Sequence, residues 1–168
     1  MEDNTPILNH LQILQKVNRI AYQIYEDHYD QKEIIVAGIA TSGLILAKML
    51  QEKLTEISPI QIRMVELHID KKNPIKQTLT LDISEKELKN KAVIVVDDVL
   101  NSGRTMMYGL QYFLKAPLKK LSTAVLVNRS HKRFPVNANY VGVSLATTLK
   151  EHIEVNFDDP KNYVAYLQ

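Results

Sequence analysis

Two adjacent carboxylates close the strongest strand signal in the sequence. Residues 93–100 read VIVVDDVL, so four apolar residues precede Asp97 and Asp98, and two more follow them. Carboxylates accept hydrogen bonds, and a neighbouring pair can take both hydroxyls of a ribose. The same pair could instead cap a helix that begins just downstream. For an isolated pair of aspartates, capping would be the better interpretation.

A glycine-containing turn follows the acid pair and opens a predicted helix. It consists of Asn101, Ser102, Gly103, Arg104 and Thr105. Gly103 allows a ligand to approach the backbone closely, and the hydroxyls of Ser102 and Thr105 add donors. A helix N-terminus presents backbone N–H groups and a positive dipole end to a phosphate. Because capping alone leaves the thirteen-residue pattern of residues 93–105 unexplained, we predict a site for a ribose and a phosphate.

Strand and helix patterns alternate along the sequence, which predicts an α/β fold. Apolar residues at three- and four-residue steps predict an N-terminal amphipathic helix through Ile7, Leu11, Leu14, Val17, Ile20, Ala21 and Ile24. Further helices are predicted at residues 43–54 and 104–114, and strands at residues 33–38, 59–67, 91–96, 122–127, 140–143, 153–157 and 163–167. Ligands of such sheets bind beyond the carboxyl ends of the strands, so the turns after residues 38 and 96 are the expected binding loops.

Length and composition indicate one ordinary globular domain that covers residues 1–168. The chain has no cysteine, which excludes disulfides and thiolate metal sites. No apolar run approaches the roughly 20 residues that span a bilayer, and the acidic start of the sequence has no apolar signal segment behind it. We therefore expect a cytoplasmic protein. The net charge of +2 is too small to argue for nucleic-acid binding.

The pattern of residues 93–105 resembles a known fingerprint. Four apolar residues, two acids, two apolar residues and a Ser-Gly-x-Thr turn are similar to the motif with which type I phosphoribosyltransferases bind 5-phosphoribosyl 1-diphosphate (PRPP). Within that family, the sequence most resembles the PyrR-like group of pyrimidine-operon attenuators and uracil phosphoribosyltransferases. The resemblance extends to residues 36–43, 124–131, Pro135, residues 138–142 and Thr147-Thr148.

The resemblance implies a central, mostly parallel sheet flanked by helices, with a small C-terminal hood. Asp97 and Asp98 would be the catalytic carboxylates that hold the ribose 2′- and 3′-hydroxyls. The 5-phosphate would lie against Asn101, Ser102, Gly103, Arg104 and Thr105, and the diphosphate against Ala40, Thr41, Ser42 and Gly43. The hood would select the base through Arg129, Tyr140 and Val141.

The resemblance also implies Mg²⁺ as a cofactor, bound mainly by diphosphate and ribose oxygens. Asp97 and Asp98 would reach it indirectly, through ribose hydroxyls or water. A homodimer is implied as well. Residues 70–77 occupy the place of the family's flexible loop that covers the site, although a polar, proline-containing segment is equally typical of a solvated connection. Arg129 could likewise pair with an acidic neighbour instead of serving the hood.

The expected function is the transfer of phosphoribose from PRPP to a nucleobase, with uracil as the expected base and diphosphate as the released product. A second interpretation is an RNA-binding, nucleotide-sensing regulator of pyrimidine genes with weak or no catalysis. The sequence contains no recognised RNA-binding motif in support of it. A third interpretation is a nucleotide-binding protein whose active site has degraded.

Four departures from the family pattern bear on these alternatives. Ser42 stands where PyrR-like proteins carry arginine, and a hydroxyl supplies less charge to a diphosphate than a guanidinium does. Asn101 stands where purine-using relatives have a carboxylate that manages the base proton, which counts against a purine substrate. Residues 68–73 lack the family's Thr-Leu-Tyr-Arg pattern, and Asn128 replaces an aspartate.

Overall fold

The computed structural model describes residues 4–70 and 81–168. Along the chain lie β1 (Thr5–Leu8), α1 (His10–His28), β2 (Glu33–Ile39), α2 (Ser42–Ile57), β3 (Gln61–Leu67), α3 (Glu85–Leu88), β4 (Ala92–Leu100), α4 (Arg104–Phe113), β5 (Lys120–Arg129), β6 (Tyr140–Leu145), β7 (Ile153–Asn156) and β8 (Val164–Leu167).

Five parallel strands form the central sheet, in the order β3-β2-β4-β5-β6. Successive side chains of β4 alternate between two apolar clusters. Ile94 and Val96 join the cluster that packs with α1 and α2, whereas Val93 and Val95 join the one that packs with α4. A strand covered on both faces needs such a continuous apolar run. The predicted α/β fold with a parallel central sheet is confirmed.

A separate antiparallel sheet, in the order β1-β8-β7, accompanies the central one. Its residues Leu8, Val155 and Ala165 belong to the same apolar cluster as α1 and α2, which joins the small sheet to the main core. The C-terminal region implied by the resemblance is therefore present, but its sheet also contains an N-terminal strand. Thr5 pairs with Leu167, a contact between opposite ends of the chain that leaves no local signal in the sequence.

The N-terminal helix begins later than the sequence pattern predicts, and it buries four of the seven predicted residues: Val17, Ile20, Ala21 and Ile24. Asn9 caps it: Asn9 Oδ1 accepts from Gln12 N, and Gln12 Oε1 accepts from Asn9 N, each at 2.9 Å. Ile7 therefore belongs to β1. Leu11 and Leu14 are 68% and 39% exposed. The inward face consists of Ile13, Val17, Ile20, Ala21, Ile24 and His28. The Asn-x-x-Gln spacing is the signal that locates the helix start.

The strand predicted at residues 91–96 continues through both aspartates. β4 ends at Leu100, because Asp97, Val99 and Leu100 keep their ladder partners in β5. The acid pair thus lies within the last part of a strand and not beyond it. The strand ladder therefore fixes the backbone of both carboxylates, which a free loop would not do.

The cover predicted at residues 70–77 lies outside the described residues, apart from Asp70, which is exposed. In the part of the chain that the structure describes, no helix combines the length and the apolar character needed to cross a membrane.

His28 is a buried titratable group at the end of α1. Its Nδ1 donates to Ile24 O at 2.8 Å, since a carbonyl can only accept, and its Nε2 has no hydrogen-bond partner among the described residues. Burial lowers the pKa of the imidazole below its ordinary value of 6.5, and the hydrogen bond to Ile24 opposes part of that shift. The folded protein therefore favours neutral His28.

We expect the free energy of unfolding to fall as the pH drops below about 6.5, because the unfolded chain then binds a proton that folded His28 resists. The stability contribution is complete above that pH and declines towards the lowered pKa of the folded state. His28→Gln should flatten this part of the profile in urea titrations between about pH 5 and 7. His152→Gln, at an exposed position, should keep the wild-type slope. Equal slopes for all three proteins would contradict the assignment.

Candidate functional site

The turns that follow β2 and β4 lie at the same edge of the central sheet. The two strands are parallel neighbours, so residues 40–43 come next to Asp97 and Asp98. Ligands of α/β sheets bind beyond this edge. Two helices also start here, α2 at Ser42 and α4 at Arg104. Each brings N-terminal backbone N–H groups that have no partner within their helix.

Close packing brings the start of α2 against the acid pair. A Cβ on Gly43 would lie 2.8 Å from Val96 O, 2.9 Å from Asp97 Cα and 3.0 Å from Asp97 Oδ1. Two of these three atoms are backbone, which cannot move aside as a flexible side chain can, so the position requires glycine. The Ala40–Thr41 peptide bond, within the turn of residues 40–43, is cis. The turn predicted for the diphosphate therefore adjoins the carboxylates predicted for the ribose.

The two carboxylates differ in exposure. Asp97 is 4% exposed, whereas Asp98 is half-buried. Asp97 Oδ1 accepts from Asp98 N at 3.0 Å, which fixes the orientation of the buried carboxylate. Asp98 is therefore the more accessible of the two to a ligand.

The turn between β4 and α4 depends on Gly103. This residue has a left-handed conformation, with φ of +83°, and a Cβ there would lie 2.6 Å from Val136 Cγ1. Both the conformation and the space call for glycine. Ser102 O accepts from the backbone N–H groups of Arg133 at 2.9 Å and Phe134 at 3.0 Å. The segment of residues 133–136 therefore holds the turn in place.

The acid pair and the turn share one cavity of about 290 Å³. Cavities that hold small molecules start at about 300 Å³, so this one suits a compact ligand. The ten consecutive residues 97–106 line it, together with Ile153 of β7. Every residue predicted for the ribose and the 5-phosphate lines this cavity. Residues 40–43 do not line it themselves and adjoin it through the contact of Gly43 with Asp97.

Arg129 connects the turn to the C-terminal part of the chain. It is 4% exposed. Its Nη1 donates to Asn101 Oδ1 at 2.6 Å, Nε to Thr147 Oγ1 at 2.8 Å, and Nη2 to Thr148 O at 3.1 Å. The described residues give this guanidinium no carboxylate at ion-pair distance. Arg129 is therefore bound by neutral acceptors, and not by the acidic residue that was its alternative partner in the sequence analysis.

Glu151 forms a hydrogen bond within the segment that Arg129 contacts at Thr147 and Thr148. Its carboxylate accepts from Thr148 N. That hydrogen bond, with the charge of Arg129 as a smaller cause, lowers the pKa of the Glu151 carboxyl. The positive charge of Arg129 thus acts on the Glu151 carboxyl, although the two side chains do not form an ion pair.

Two residues predicted for the base site, Tyr140 and Val141, do not line the cavity. Tyr140 starts β6 and is buried, and its hydroxyl donates to Asp27 Oδ2 at 2.8 Å at the end of α1. Burial and this hydrogen bond raise the pKa of Tyr140 above its ordinary value. Val141 packs in the apolar cluster of α4, and its carbonyl accepts from Arg19 at 3.1 Å. Neither residue is among those that line the cavity, so their role in base selection stays a prediction.

The sequence interpretation missed the contribution of β7 to the site. Ile153 lines the cavity, yet it was predicted only as a strand residue. Thr147 and Thr148 belong to the family resemblance, but the sequence gives them no role. In the structure, both accept hydrogen bonds from Arg129. All three contacts join segments that are far apart in the sequence, so local patterns do not reveal them.

The donor set at the cavity suits Mg²⁺. Asp97 and Asp98 offer carboxylate oxygens, and Mg²⁺ commonly takes one or two of these and completes its shell with water and phosphate oxygens. Within residues 4–70 and 81–168, no group of three or more His, Cys, Asp or Glu side chains is arranged to hold a metal. The two carboxylates by themselves fit a Mg²⁺ ion that a phosphorylated ligand helps to hold.

A larger cavity, of about 630 Å³, lies between α1 and α2. Its lining includes Leu11, Leu14, Met49 and Glu52. Neither the acid pair nor the glycine turn contributes to it. Size alone therefore does not locate the chemistry of this protein, and the smaller cavity at the strand ends is the candidate site.

The sequence matches the phosphoribosyl transferase domain family over residues 3–160. It is 33% identical over 150 residues to the bifunctional protein PyrR of Fusobacterium nucleatum, and the alignment covers 85% of each chain. It is 30% identical over 159 residues to the bifunctional protein PyrR of Haemophilus ducreyi, which covers 89% of this chain and 87% of the relative. Both relatives therefore match across most of their length.

Solved structures confirm the predicted type I phosphoribosyltransferase fold. A hypoxanthine-guanine phosphoribosyltransferase from Bacillus anthracis has a TM-score of 0.77 at 20% identity and covers 100% of both chains. The hypoxanthine phosphoribosyltransferase of Trypanosoma cruzi has a TM-score of 0.78 at 16% identity, with 96% of this chain and 95% of the other covered. At such identities the likeness establishes the fold alone.

Gly43→Ala should lower the free energy of unfolding by about 1–3 kcal/mol, because the added methyl group meets backbone atoms of β4 that cannot move aside. Gly109→Ala is the matched control. Its Cβ would approach only the ends of side chains, with Leu67 Cδ2 nearest at 3.0 Å, and alanine favours the helix by up to about 1 kcal/mol. Urea denaturation of both variants would measure the difference, and equal stability would contradict the packing described for Gly43.

Proposed function

The chain belongs to the phosphoribosyl transferase domain family, and on that basis we propose that it transfers phosphoribose from PRPP to uracil and releases diphosphate. The proposal rests on one observation. Two strand carboxylates and a glycine turn at a helix N-terminus line the same cavity. A ribose 5-phosphate presents two adjacent hydroxyls and a phosphate. Carboxylates and helix N-termini are the groups that bind them.

The chain's own residues bind and orient the sugar in this proposal. Asp97 and Asp98 accept hydrogen bonds from the 2′- and 3′-hydroxyls. The backbone N–H groups at the start of α4, with the hydroxyls of Ser102 and Thr105, hold the 5-phosphate. Holding the hydroxyls and the phosphate together removes most of the rotational freedom of the sugar, which is a large part of what an enzyme can contribute to a displacement at C1.

The leaving diphosphate gains negative charge as its bond to C1 breaks, while the sugar becomes oxocarbenium-like. Residues 40–43 and the first N–H groups of α2 are the donors that adjoin the acid pair, and Ser42 adds a hydroxyl but no charge. Bound Mg²⁺ would supply positive charge to the diphosphate and ribose oxygens. Asp97 and Asp98 would hold that ion indirectly, so we propose Mg²⁺ as the cofactor.

An oxocarbenium-like sugar must be kept from water until the base arrives. The side chain of Ile153 lines the cavity, so the small sheet supplies an apolar wall on that side. Residues 70–77 remain the proposed cover on grounds of the family resemblance alone. Both devices would favour transfer to a base over hydrolysis.

Uracil is proposed over a purine on chemical grounds. A purine that accepts the ribose at N9 benefits from a carboxylate that manages its N7 proton, and Asn101 cannot exchange a proton in this way. Its amide oxygen is also engaged by Arg129. The relatives at 30–33% identity are named PyrR, whereas the hypoxanthine-using enzymes share only the fold, at 16–20% identity.

A second function is proposed because these relatives are named bifunctional. It is the RNA-binding, nucleotide-sensing regulation of pyrimidine genes by a homodimer. Four exposed apolar side chains in and just after α1 provide a surface that a second subunit could cover: Leu11, Leu14, Tyr22 and Tyr29. RNA binding through phosphate contacts would weaken steeply with added salt.

The double substitution Asp97→Asn, Asp98→Asn should weaken PRPP binding at least about 100-fold, because both acceptors of the ribose hydroxyls lose their charge. Isothermal calorimetry in the presence of Mg²⁺ measures the affinity, and thermal unfolding checks the fold. The matched control is Asp158→Asn with Asp159→Asn, an adjacent pair at exposed positions, which should bind as wild type does. Unchanged affinity in the Asp97 and Asp98 variant would contradict the assignment of the ribose site.

Turnover of PRPP should be fastest with uracil among uracil, hypoxanthine, guanine and xanthine. Absence of a positioned acid or base typically costs about 10²–10⁴ in rate, so the purines should be slow even where they fit. Release of diphosphate gives the measurement. A purine that outpaces uracil would refute the choice of base. No turnover with any base would favour the regulator or the degraded-site interpretation.

A further inference from the structure

Arg129 holds the side-chain amide of Asn101 in one orientation. A guanidinium carries only donors, so the Asn101 atom that lies 2.6 Å from Arg129 Nη1 must be the amide oxygen. This contact removes the usual ambiguity between the oxygen and the nitrogen of an asparagine amide. Asn101 lines the cavity, and its Nδ2 has no partner among the described residues. A ligand there meets two N–H donors and no acceptor from this side chain.

The guanidinium that sets this orientation is itself fixed. It is buried, and its other two hydrogen bonds go to Thr147 and Thr148, in the segment that leads to β7. Glu151 accepts from Thr148 N and closes that segment. Because the guanidinium is a planar fork, it cannot rotate without losing several of these hydrogen bonds together.

The neutral amide at position 101 leaves the charge of Arg129 without a carboxylate partner in the described part of the chain. An aspartate at this position would pair with the guanidinium and would present acceptors to the cavity. Asparagine does the opposite, since it leaves the positive charge in place and presents donors. The cavity wall at Asn101 therefore favours an acceptor on the ligand.

The position of Asn101 in the turn indicates which part of the ligand it meets. The N–H groups suited to the 5-phosphate belong to the start of α4, which begins at Arg104. Asn101 instead follows the last residue of β4 and is tied by Arg129 to Thr147 and Thr148. That segment precedes Ile153, the β7 residue at the cavity. Asn101 therefore faces the side of the cavity that the C-terminal part of the chain builds.

We infer that Arg129 is a positioning residue, which holds Asn101 so that its Nδ2 donates to a carbonyl oxygen or an unprotonated ring nitrogen of the base. The inference rests on the proposed function and deepens it, because it names the pair of residues that reads the base and the kind of group that is read. Arg129 acts without touching the ligand. Asn101 then serves the base, and not the 5-phosphate as the sequence pattern predicts.

Asn101→Asp is the sharpest test, because it keeps an oxygen for Arg129 and replaces the cavity-facing donors by an acceptor. Calorimetry with uridine 5′-monophosphate and with ribose 5-phosphate, which lacks the base, separates the two ends of the ligand. We expect the ratio of their affinities to fall about 10-fold in favour of ribose 5-phosphate. Both probes carry the same phosphate, so repulsion by the new charge affects them alike. Asn18→Asp, at an exposed position on α1, is the matched control and should leave the ratio unchanged.

A double-mutant cycle tests whether Arg129 acts through Asn101. Arg129→Lys should lower the same affinity ratio in the wild-type background. It should not change the ratio in the Asn101→Ala background, where no amide remains to be positioned. If Arg129 only stabilised the fold, Arg129→Lys would change the affinity ratio equally in both backgrounds, and that result would overturn the positioning role. If Arg129→Lys fails to fold, Thr147→Val removes another partner of the guanidinium and enters the cycle in its place.

The outcomes separate this inference from the function on which it rests. A wild-type protein that binds neither probe would overturn the proposed function and the inference together. Binding of both probes, with an unchanged ratio in Asn101→Asp, would overturn the inference alone. A parallel loss of affinity for both probes also leaves the ratio unchanged and would overturn the inference in the same way, since repulsion of the shared phosphate by the new charge explains it. A raised ratio would show that the ligand presents a donor to this residue, which is also a refutation.

Discussion

The absence of a side chain at Gly43 lets the start of α2 lie directly against the end of β4, and the other parts of the site depend on that contact. Asp97 is almost fully buried there, and its Oδ1 would lie 3.0 Å from a Cβ on Gly43. The parallel pairing of β2 with β4 brings both turns to one edge of the sheet. Two helix N-termini and two carboxylates are thereby combined, which places anion-binding groups beside groups that bind hydroxyls.

Two positions that differ from the family pattern change the charge of the site in opposite ways. Ser42 provides no positive charge at the turn after β2, where PyrR-like proteins carry arginine. Asn101 provides no negative charge beside Arg129, so the buried guanidinium is not neutralised there. Ser42 is therefore a neutral group at the turn proposed for the diphosphate, whereas the charge of Arg129 remains on the side built by the C-terminal segment.

The sequence was sufficient for the parts of the fold that rest on local patterns. The apolar run of β4, the acid pair and the turn at Gly103 identified both the central strand and the residues that line the cavity. Contacts between distant segments could not be predicted. β1 pairs with β8 from the opposite end of the chain, and Arg129 meets two separate segments, at Asn101 and at Thr147 and Thr148. The hydrogen bond of Tyr140 to Asp27 was not predicted either, because the two residues are distant in the sequence.

A crystal structure of the protein with bound ribose 5-phosphate is the most direct test of the acid pair and the glycine turn as one sugar-phosphate site. We expect the phosphate against the backbone N–H groups at the start of α4, and the 2′- and 3′-hydroxyls within hydrogen-bond distance of Asp97 and Asp98. Ribose 5-phosphate bound in the groove between α1 and α2, or turned so that its hydroxyls face away from both carboxylates, would contradict the assignment.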